Sequence, residues 1–238
     1  MSSNLKILVA DRQIVRPGDI LAIMEQKIMK PMYNPEKHVY IYEDKIVSAV
    51  LGLASITDND VSVIPLEGRY FPKVGDTVIG LVVGVGITNW ILDIRAPYKA
   101  VLNAGEVIEN FSPITTNLRD YIDVGDYIVA KIAVFDRTRD LLLTVKGKGL
   151  GKITEGIVIE IEPSRVPRVI GKKGSMLNLL TSKTGCNILV AQNGVVWIRC
   201  KDEKSSEIAV KAIRLIESRA HMRGLTEQVR MFLDKELA

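Results

Sequence analysis

The sequence contains very little cysteine and histidine, with two residues of each. Cys186 and Cys200 form no CxxC pair, so neither a zinc ribbon nor a framework of disulfides is expected. We expect both thiols to be reduced and to pack as small apolar side chains, as in an intracellular protein. His38 and His221 belong to no HxxE or HExxH pattern, and each is interpreted as structural or solvated. The sequence therefore predicts no metal site and no cofactor.

Long apolar runs and catalytic motifs are also missing. No run reaches the length of a transmembrane helix, and the N-terminus lacks the charged-then-apolar order of a secretory signal. We therefore expect a cytoplasmic protein without membrane contact. No nucleophile elbow, Walker or Rossmann pattern occurs, and turn chemistry explains the acidic residues Asp123 and Asp126 beside Gly125. The expectation is a chain without catalytic residues.

The chain has 238 residues, enough for two or three small domains, and its 47% hydrophobic content excludes a disordered protein. The net charge of +4 is unevenly distributed. Residues 149–238 carry 15 basic and 10 acidic side chains, a net charge of +5, whereas residues 1–66 and 67–148 have net charges of −1 and 0. Excess basic charge in the last third favours a polyanionic partner.

The most informative segment is Gly171-Lys172-Lys173-Gly174, which precedes a predicted amphipathic helix over 175–184. Glycine lets another backbone approach closely, and a helix start offers free N–H groups at the positive end of the helix dipole. Together with the two lysines, these features predict a phosphate-binding loop. A lone GxxG also occurs in ordinary turns, so the flanking elements decide between the two interpretations.

The elements around this loop follow the order strand, helix, loop, helix, strand, strand, helix. Strands are predicted at Gly156–Ile161, Asn187–Gln192 and Val195–Cys200, the last two joined by a two-residue turn at Asn193-Gly194, and a helix follows over about 203–219. This order resembles a KH domain, a family that binds about four single-stranded nucleotides through its GxxG loop. The resemblance implies that lysines contact phosphates and that an isoleucine lies against the bases. The residues assigned to RNA binding are Arg168, Ile170, Gly171, Lys172, Lys173 and Gly174.

The middle third contains short strands separated by turn signals, a pattern typical of a small closed β-barrel. Gly75-Asp76 and Gly125-Asp126 each open a predicted strand, and Leu141–Lys146 closes the series. This arrangement resembles the RNA-binding barrel of ribosomal protein S1, a relative of the OB-fold. The family commonly has aromatic residues where this chain has Thr88 and Ile91, so its stacking surface is reduced. The resemblance implies RNA contacts from Trp90, Arg95, Tyr98, Lys99, Asn103, Arg137 and Arg139.

Residues 1–66 are predicted to be rich in strands. Gly18-Asp19 is a third Gly-Asp strand opener, Val39–Tyr42 and Ile46–Leu51 are interpreted as a hairpin, and Val61–Leu66 as a further strand. This third has no excess of charge, so a docking or packing role is expected. The predicted fold is therefore multidomain, with a β-rich N-terminal module at 1–66, an OB-fold-like five-stranded barrel at 67–148 and an α+β KH domain at 149–238.

This domain order resembles, over essentially the whole chain, the KH-bearing cap subunit of the archaeal RNA exosome. The most specific matching parts are Gly68–Gly80, Tyr127–Lys146 and Val169–Gly185. The sister cap subunit ends in a zinc ribbon, which the missing cysteines exclude here. The resemblance implies a trimer of caps on a hexameric ring that carries phosphorolytic 3′→5′ exoribonuclease sites. The caps would hold single-stranded RNA and guide its 3′ end into the ring, and the N-terminal modules would dock on ring subunits.

Three other interpretations stay open at this point. A transcription elongation factor of the barrel-then-KH type carries two KH modules, whereas GxxG occurs once here. In polynucleotide phosphorylase the KH domain precedes the barrel, the opposite order. A structural clamp would use the KH domain as a protein-docking surface, with the predicted last helix, about Leu225–Leu237, covering a partner.

Overall fold

The computed structural model describes residues 5–34, 37–57, 60–66, 68–136, 140–220, 222 and 224–237. Contacts between residues divide the chain into two compact units, 1–68 and 69–238. The predicted boundary between a barrel and a KH domain at residue 148 lies inside the second unit and stays a prediction. No helix in the described part of the chain is long and apolar enough to cross a membrane.

The strands, in chain order, are β1 (Leu5–Ile7), β2 (Ile14–Val15), β3 (Ile20–Asn34), β4 (Val39–Ser48), β5 (Gly52–Thr57), β6 (Asp60–Pro65), β7 (Thr77–Val85), β8 (Asn89–Asp93), β9 (Ala100–Asn103), β10 (Tyr127–Val134), β11 (Leu141–Thr144), β12 (Gly151–Lys152), β13 (Ile157–Glu160), β14 (Asn187–Val190) and β15 (Val195–Arg199). The α-helices are α1 (Ala104–Val107), α2 (Val166–Ile170), α3 (Ser175–Thr184), α4 (Glu203–Ser218) and α5 (Leu225–Leu237).

The N-terminal unit consists of two antiparallel three-stranded sheets, in the orders β1-β3-β4 and β2-β5-β6. The predicted hairpin at 39–51 is wrong, because β4 continues through Glu43 with a local irregularity instead of a turn. Glu43 has a φ of +52°, and the register shifts between Ile28 and its neighbours on β3. The partner of β4 is the long strand β3, so the two form an extended ribbon.

The Gly-Asp strand opener forms the same local turn at three places. Gly18, Gly75 and Gly125 have φ values of +94°, +91° and +97°, which favour glycine. In each turn the aspartate carboxylate accepts a hydrogen bond from the backbone N–H three residues earlier, over 2.8 Å at Asp19, 3.2 Å at Asp76 and 2.7 Å at Asp126. The strands β3, β7 and β10 then begin within two residues, as the pattern predicted.

One of these aspartates also joins the barrel to the following chain. Partial burial raises the pKa of Asp126, but Lys152 and the Asp123 N–H outweigh this effect, so the pKa lies below its usual value. The Lys152 ammonium lies 2.6 Å from the carboxylate. Lys152 belongs to β12, which pairs with β10, so residues 151–152 extend the barrel sheet.

The predicted barrel is confirmed. Its strands follow the order β11-β9-β8-β7-β10, and the pairing of β10 with β11 closes the sheet into five strands. The pair β9–β11 is parallel and the other pairs are antiparallel. Alternate residues of these strands fill the interior, including Val82, Trp90, Leu92, Leu102 and Ile132.

The KH fold is also confirmed, as a three-stranded antiparallel sheet β13-β15-β14 packed on helices α2 to α5. Leu180 of α3, Ile213 of α4 and the stripe of Leu225, Val229 and Leu233 on α5 share one buried cluster. The apolar stripe of the last helix is therefore occupied by the domain's own core, which argues against the clamp interpretation of this helix.

The prediction of reduced cysteines is wrong, because Cys186 and Cys200 form a disulfide. The two residues directly precede β14 and follow β15, whose register pairs Asn187 with Arg199. Continuing this register by one residue places the cysteines opposite each other, with their Cα atoms 4.3 Å apart. The disulfide could therefore have been predicted from the register of the hairpin.

We expect Cys200→Ser to lower the free energy of unfolding by about 3 kcal/mol, because the bond closes a loop of 14 residues in the unfolded chain. Urea unfolding with and without reductant measures this effect. Reductant should destabilise the unsubstituted chain by a similar amount and leave Cys200→Ser unchanged. A substituted chain as stable as the oxidised protein would contradict the bond.

Candidate nucleic-acid interface

The GxxG loop is a tight turn with three unusual backbone positions. Gly171 has φ +75° and ψ 170°, while Lys173 and Gly174 are left-handed, with φ +52° and +78°. A Cβ atom on Gly171 would lie 2.6 Å from the Met176 backbone nitrogen. Only glycine fits there, because the turn folds back against the first residues of α3.

Buried side chains of the two flanking helices and a backbone hydrogen bond fix the position of the loop. Helix α2 has Pro167 in its first turn, buries Val169, and ends where the Gly171 N–H donates to the Pro167 carbonyl over 2.9 Å. Helix α3 begins at Ser175 and buries Met176. No side chain caps the start of α3, and the Ser175 N–H donates to the Lys172 carbonyl within the loop.

The predicted KH-loop residues lie together in space. Arg168, Lys172 and Lys173 are exposed, and none of them forms an ion pair with another residue that the structure describes. Ile170 is half-buried against the KH core. The loop therefore presents three cationic side chains around an exposed backbone, beside an apolar residue. Such an arrangement suits a phosphodiester backbone.

Trp90 does not belong to a barrel interface, and its prediction as an RNA contact is wrong. Its side chain is completely buried in the barrel core. The indole N–H donates to the Ile122 carbonyl over 2.8 Å. Alternation along β8 places Trp90 and Leu92 inside the barrel, so no ring face is available for stacking on a base.

Arg95 is likewise corrected, because its guanidinium is used inside the protein. One nitrogen donates to the carbonyls of Ile161 and Gly194 over 3.0 and 3.4 Å, and the Glu160 carboxylate lies 3.5 Å away. All three partners belong to the KH part of the unit. Arg95 therefore joins the barrel to the KH domain, and is not a free phosphate contact.

The remaining described barrel predictions are spread along one strand. Tyr98 and Lys99 directly precede β9, whereas the exposed Asn103 ends it. At about 3.3 Å per residue, these positions are well over 10 Å apart. Arg137 and Arg139 lie outside the described residues.

Tyr98 belongs to an aromatic cluster that the sequence did not indicate. Its ring packs edge-to-face on Phe71 and Phe135, with centroid distances of 6.0 and 5.0 Å, and all three residues are half-buried. Phe71 and Phe135 were missed because both lie outside the strands, Phe71 before β7 and Phe135 just after β10, and they are far apart in sequence. Lys99 beside this cluster is exposed.

A second missed residue is Asn193, at the tip of the β14–β15 hairpin. The hairpin loop is Gln192–Gly194 instead of the predicted two-residue turn, because the Gly194 N–H donates to Ala191 over 3.1 Å and the Ala191 N–H to Val195 over 3.0 Å. The fully buried Asn193 amide donates to the carbonyls of Ile79 and Ile94 over 2.8 and 3.0 Å. Its carbonyl oxygen accepts from the Ile79 N–H over 3.3 Å. The KH hairpin is thereby inserted against the barrel.

Apolar contacts extend this junction. Ile79 and Val129 of the barrel and Ala191 and Val195 of the hairpin form one buried cluster. The Gln192 N–H donates to the Thr77 carbonyl over 3.0 Å. The KH loop and the barrel surface are therefore carried by one connected unit.

No metal site was predicted, and His38 is half-buried while His221 lies outside the described residues. Among the residues that the structure describes, no group of three His, Cys, Asp or Glu side chains is placed to hold a metal ion.

Comparison with known proteins assigns the three parts of the chain. Family models described as the exosome RNA binding protein RRP4 N-terminal domain, the RRP4 S1 domain and the KH domain match residues 12–67, 69–111 and 156–204. The exosome complex component Rrp4 of Thermosphaera aggregans is 57% identical, over 98% of this chain and 96% of the relative. The chain belongs to the Rrp4 family. The Saccharolobus solfataricus Rrp4 is 46% identical, over 100% of this chain and 94% of its own length.

A solved structure agrees with the Rrp4 assignment. A crystal structure described as a candidate exosome complex RNA-binding protein has 46% sequence identity and a TM-score of 0.68, covering 71% of this chain and 97% of that one. The predicted resemblance to the KH-bearing exosome cap is confirmed. Membership of the Rrp4 family also excludes the elongation-factor and polynucleotide-phosphorylase interpretations.

Proposed function

We propose that this chain is a non-catalytic cap subunit of an archaeal exosome that captures single-stranded RNA and guides its 3′ end to a degrading ring. The observation that carries the proposal is the GxxG loop of a member of the Rrp4 family, in which three cations surround an exposed backbone and pair with no carboxylate of a described residue. Phosphate contacts of this kind are independent of base identity, which suits a protein that captures many RNAs.

The connected barrel and KH parts support a capture role. Two weak RNA contacts on one unit raise the overall affinity, because the second contact forms at a high effective concentration. Lys99 beside the aromatic cluster is the described barrel residue best placed for the second contact. We assign it to the backbone of RNA that enters the ring.

The N-terminal unit is proposed to dock on ring subunits of the phosphorolytic type, in a trimer of caps. Its β3–β4 ribbon exposes Met29, Tyr33, Tyr40 and Tyr42. Tyr33 lies directly opposite Tyr40, with ring centroids 4.7 Å apart, and Tyr42 shares their face by alternation. Exposed apolar surface of this kind marks protein interfaces, in which tyrosine is enriched.

We expect the double substitution Tyr40→Ser, Tyr42→Ser to abolish co-purification of ring subunits with a tagged chain, while affinity for RNA in the isolated protein stays the same. The matched control is Tyr121→Ser, which replaces an exposed tyrosine of the second unit. The measurement is affinity purification followed by identification of bound subunits. Retention of the ring by the double variant would contradict docking through this face, and a chain that purifies alone without substitution would contradict the exosome assignment.

The cytoplasm is the proposed location, where the ring and its RNA substrates meet. The disulfide does not conflict with it, because intracellular proteins of hyperthermophilic archaea often carry such bonds. The catalytic role belongs to the ring in this proposal. The purified chain alone should leave labelled RNA intact, and degradation by it would overturn the non-catalytic assignment.

A further inference from the structure

A cleft of about 540 Å³ lies between the GxxG loop and the start of the C-terminal helix. The loop contributes one wall, with Arg168, Gly171, Lys172 and Ser175 among its residues. The start of α5 and the residues just before it contribute the opposite wall, which includes Met222, Gly224, Leu225 and Thr226. This second wall has no part in the phosphate contacts already described.

The lining combines the chemical groups that a nucleotide needs. Arg168 and Lys172 are cationic, and neither pairs with a carboxylate of a described residue. Ser175 and Thr226 also line the cleft, and Met222 gives it an exposed apolar side chain, whereas Met176 and Leu225 are buried. Thioether and aliphatic groups pack on a base, while the cations attract its phosphate.

The volume also fits this ligand class. Pockets that enclose small organic ligands measure roughly 300 to 1,000 Å³, so 540 Å³ accommodates one nucleotide with room for its continuing backbone. The second wall is held in place, because Leu225, Val229 and Leu233 anchor α5 in the KH core and Asp234 pairs with Lys183 over 2.6 Å. The part of the wall that belongs to α5 is therefore held in place before RNA binds.

We propose that this cleft is a subsite for one further nucleotide of the RNA strand, next to the phosphates at the GxxG loop. Its base packs on the exposed Met222, its phosphate lies between Arg168 and Lys172, and Thr226 lines the space for the nucleoside. The proposal rests on the RNA-binding function proposed above. It makes the start of α5 part of the RNA-binding surface.

The test compares Met222→Ala with Met231→Ala, since both remove an exposed methionine side chain from the C-terminal region and only Met222 lines the cleft. Affinity for a single-stranded octanucleotide at fixed salt should fall about fivefold for Met222→Ala, the loss expected for one base contact, and stay the same for Met231→Ala. A photoreactive residue at position 226 should crosslink to the octanucleotide, whereas the same residue at the exposed position 218 should not.

Equal affinities of the two methionine variants, or no crosslink from position 226, would overturn the subsite. Substitution of the GxxG lysines separates this outcome from failure of the proposed function, because it tests RNA binding without the second wall. Adenosine monophosphate is the probe for a free nucleotide as the ligand. Saturable binding of this probe that Met222→Ala weakens, without any effect of Met222→Ala on the octanucleotide, would also overturn the proposal.

Discussion

Replacing Lys172 and Lys173 with aspartate is expected to weaken binding of single-stranded RNA about 100-fold at low ionic strength, because two attractive phosphate contacts become repulsive. Both side chains are exposed and have no ion pair with a described residue, so the fold loses no contact that the structure shows. Lys173 has a left-handed backbone, which aspartate tolerates better than most residues do. The thermal midpoint should therefore change little.

The salt dependence gives a second measurement of the same change. Each phosphate contact contributes about −0.7 to the slope of log K against log salt for a single strand, so losing two contacts should reduce the slope by about 1.4. Fluorescence anisotropy with a labelled oligonucleotide at several salt concentrations measures both quantities. An RNA affinity that falls without a change of slope would point to misfolding instead of lost phosphate contacts.

The control for this prediction is Lys201→Asp with Lys204→Asp, which changes the net charge equally at exposed positions of the same domain. This pair should reduce affinity only through the weaker long-range field, by a few-fold at most at physiological salt. If the loop variant keeps its RNA affinity while binding to the ring fails, the KH domain is a protein clamp and the capture mechanism is wrong.

Interactions between residues close in sequence were sufficient to predict the loop and the elements around it. The Gly-Asp openers predicted where β3, β7 and β10 begin, because the glycine φ and the aspartate hydrogen bond act within four residues. Helix α3 has the predicted bounds, because Gly174 and Gly185 limit it on both sides. The exposed turn of the cationic loop is likewise determined by the backbone conformation of its own residues.

The errors concern residues whose roles depend on distant partners. Trp90 looked like a stacking residue by its type, but only the closure of the barrel determines that β8 turns it inward. Arg95 looked like a free cation, but its acceptors lie 66 and 99 residues away in sequence. Such pairings depend on how one domain packs on another, which periodicity does not report.

Asn193→Ala is expected to lower the free energy of unfolding of residues 69–238 by about 3 kcal/mol, because it leaves buried backbone groups of Ile79 and Ile94 without their partner. Asn193→Asp should cost at least as much, since it lacks the donating amide and introduces a buried charge. Asn187→Ala is the matched control, because Asn187 is an exposed residue of the same hairpin.

The two tryptophans allow each side of the junction to be followed separately. Trp90 reports on the barrel core, and Trp197 of β15 reports on the KH sheet. In single-tryptophan variants, Trp90→Phe or Trp197→Phe, urea unfolding should give one shared midpoint when Asn193 is present. With Asn193→Ala the two midpoints should separate, because the junction no longer transmits the stability of one part to the other.

The same substitution connects stability to RNA capture. A tetranucleotide that occupies only the GxxG loop should bind Asn193→Ala with unchanged affinity, since Asn193 lies away from the loop and against the barrel. A longer RNA that also reaches the barrel should bind about tenfold more weakly, because the second contact no longer forms at a fixed distance from the first. Coincident unfolding midpoints together with unchanged affinity for the longer RNA would show that the two parts act independently and that Asn193 is dispensable for their coupling.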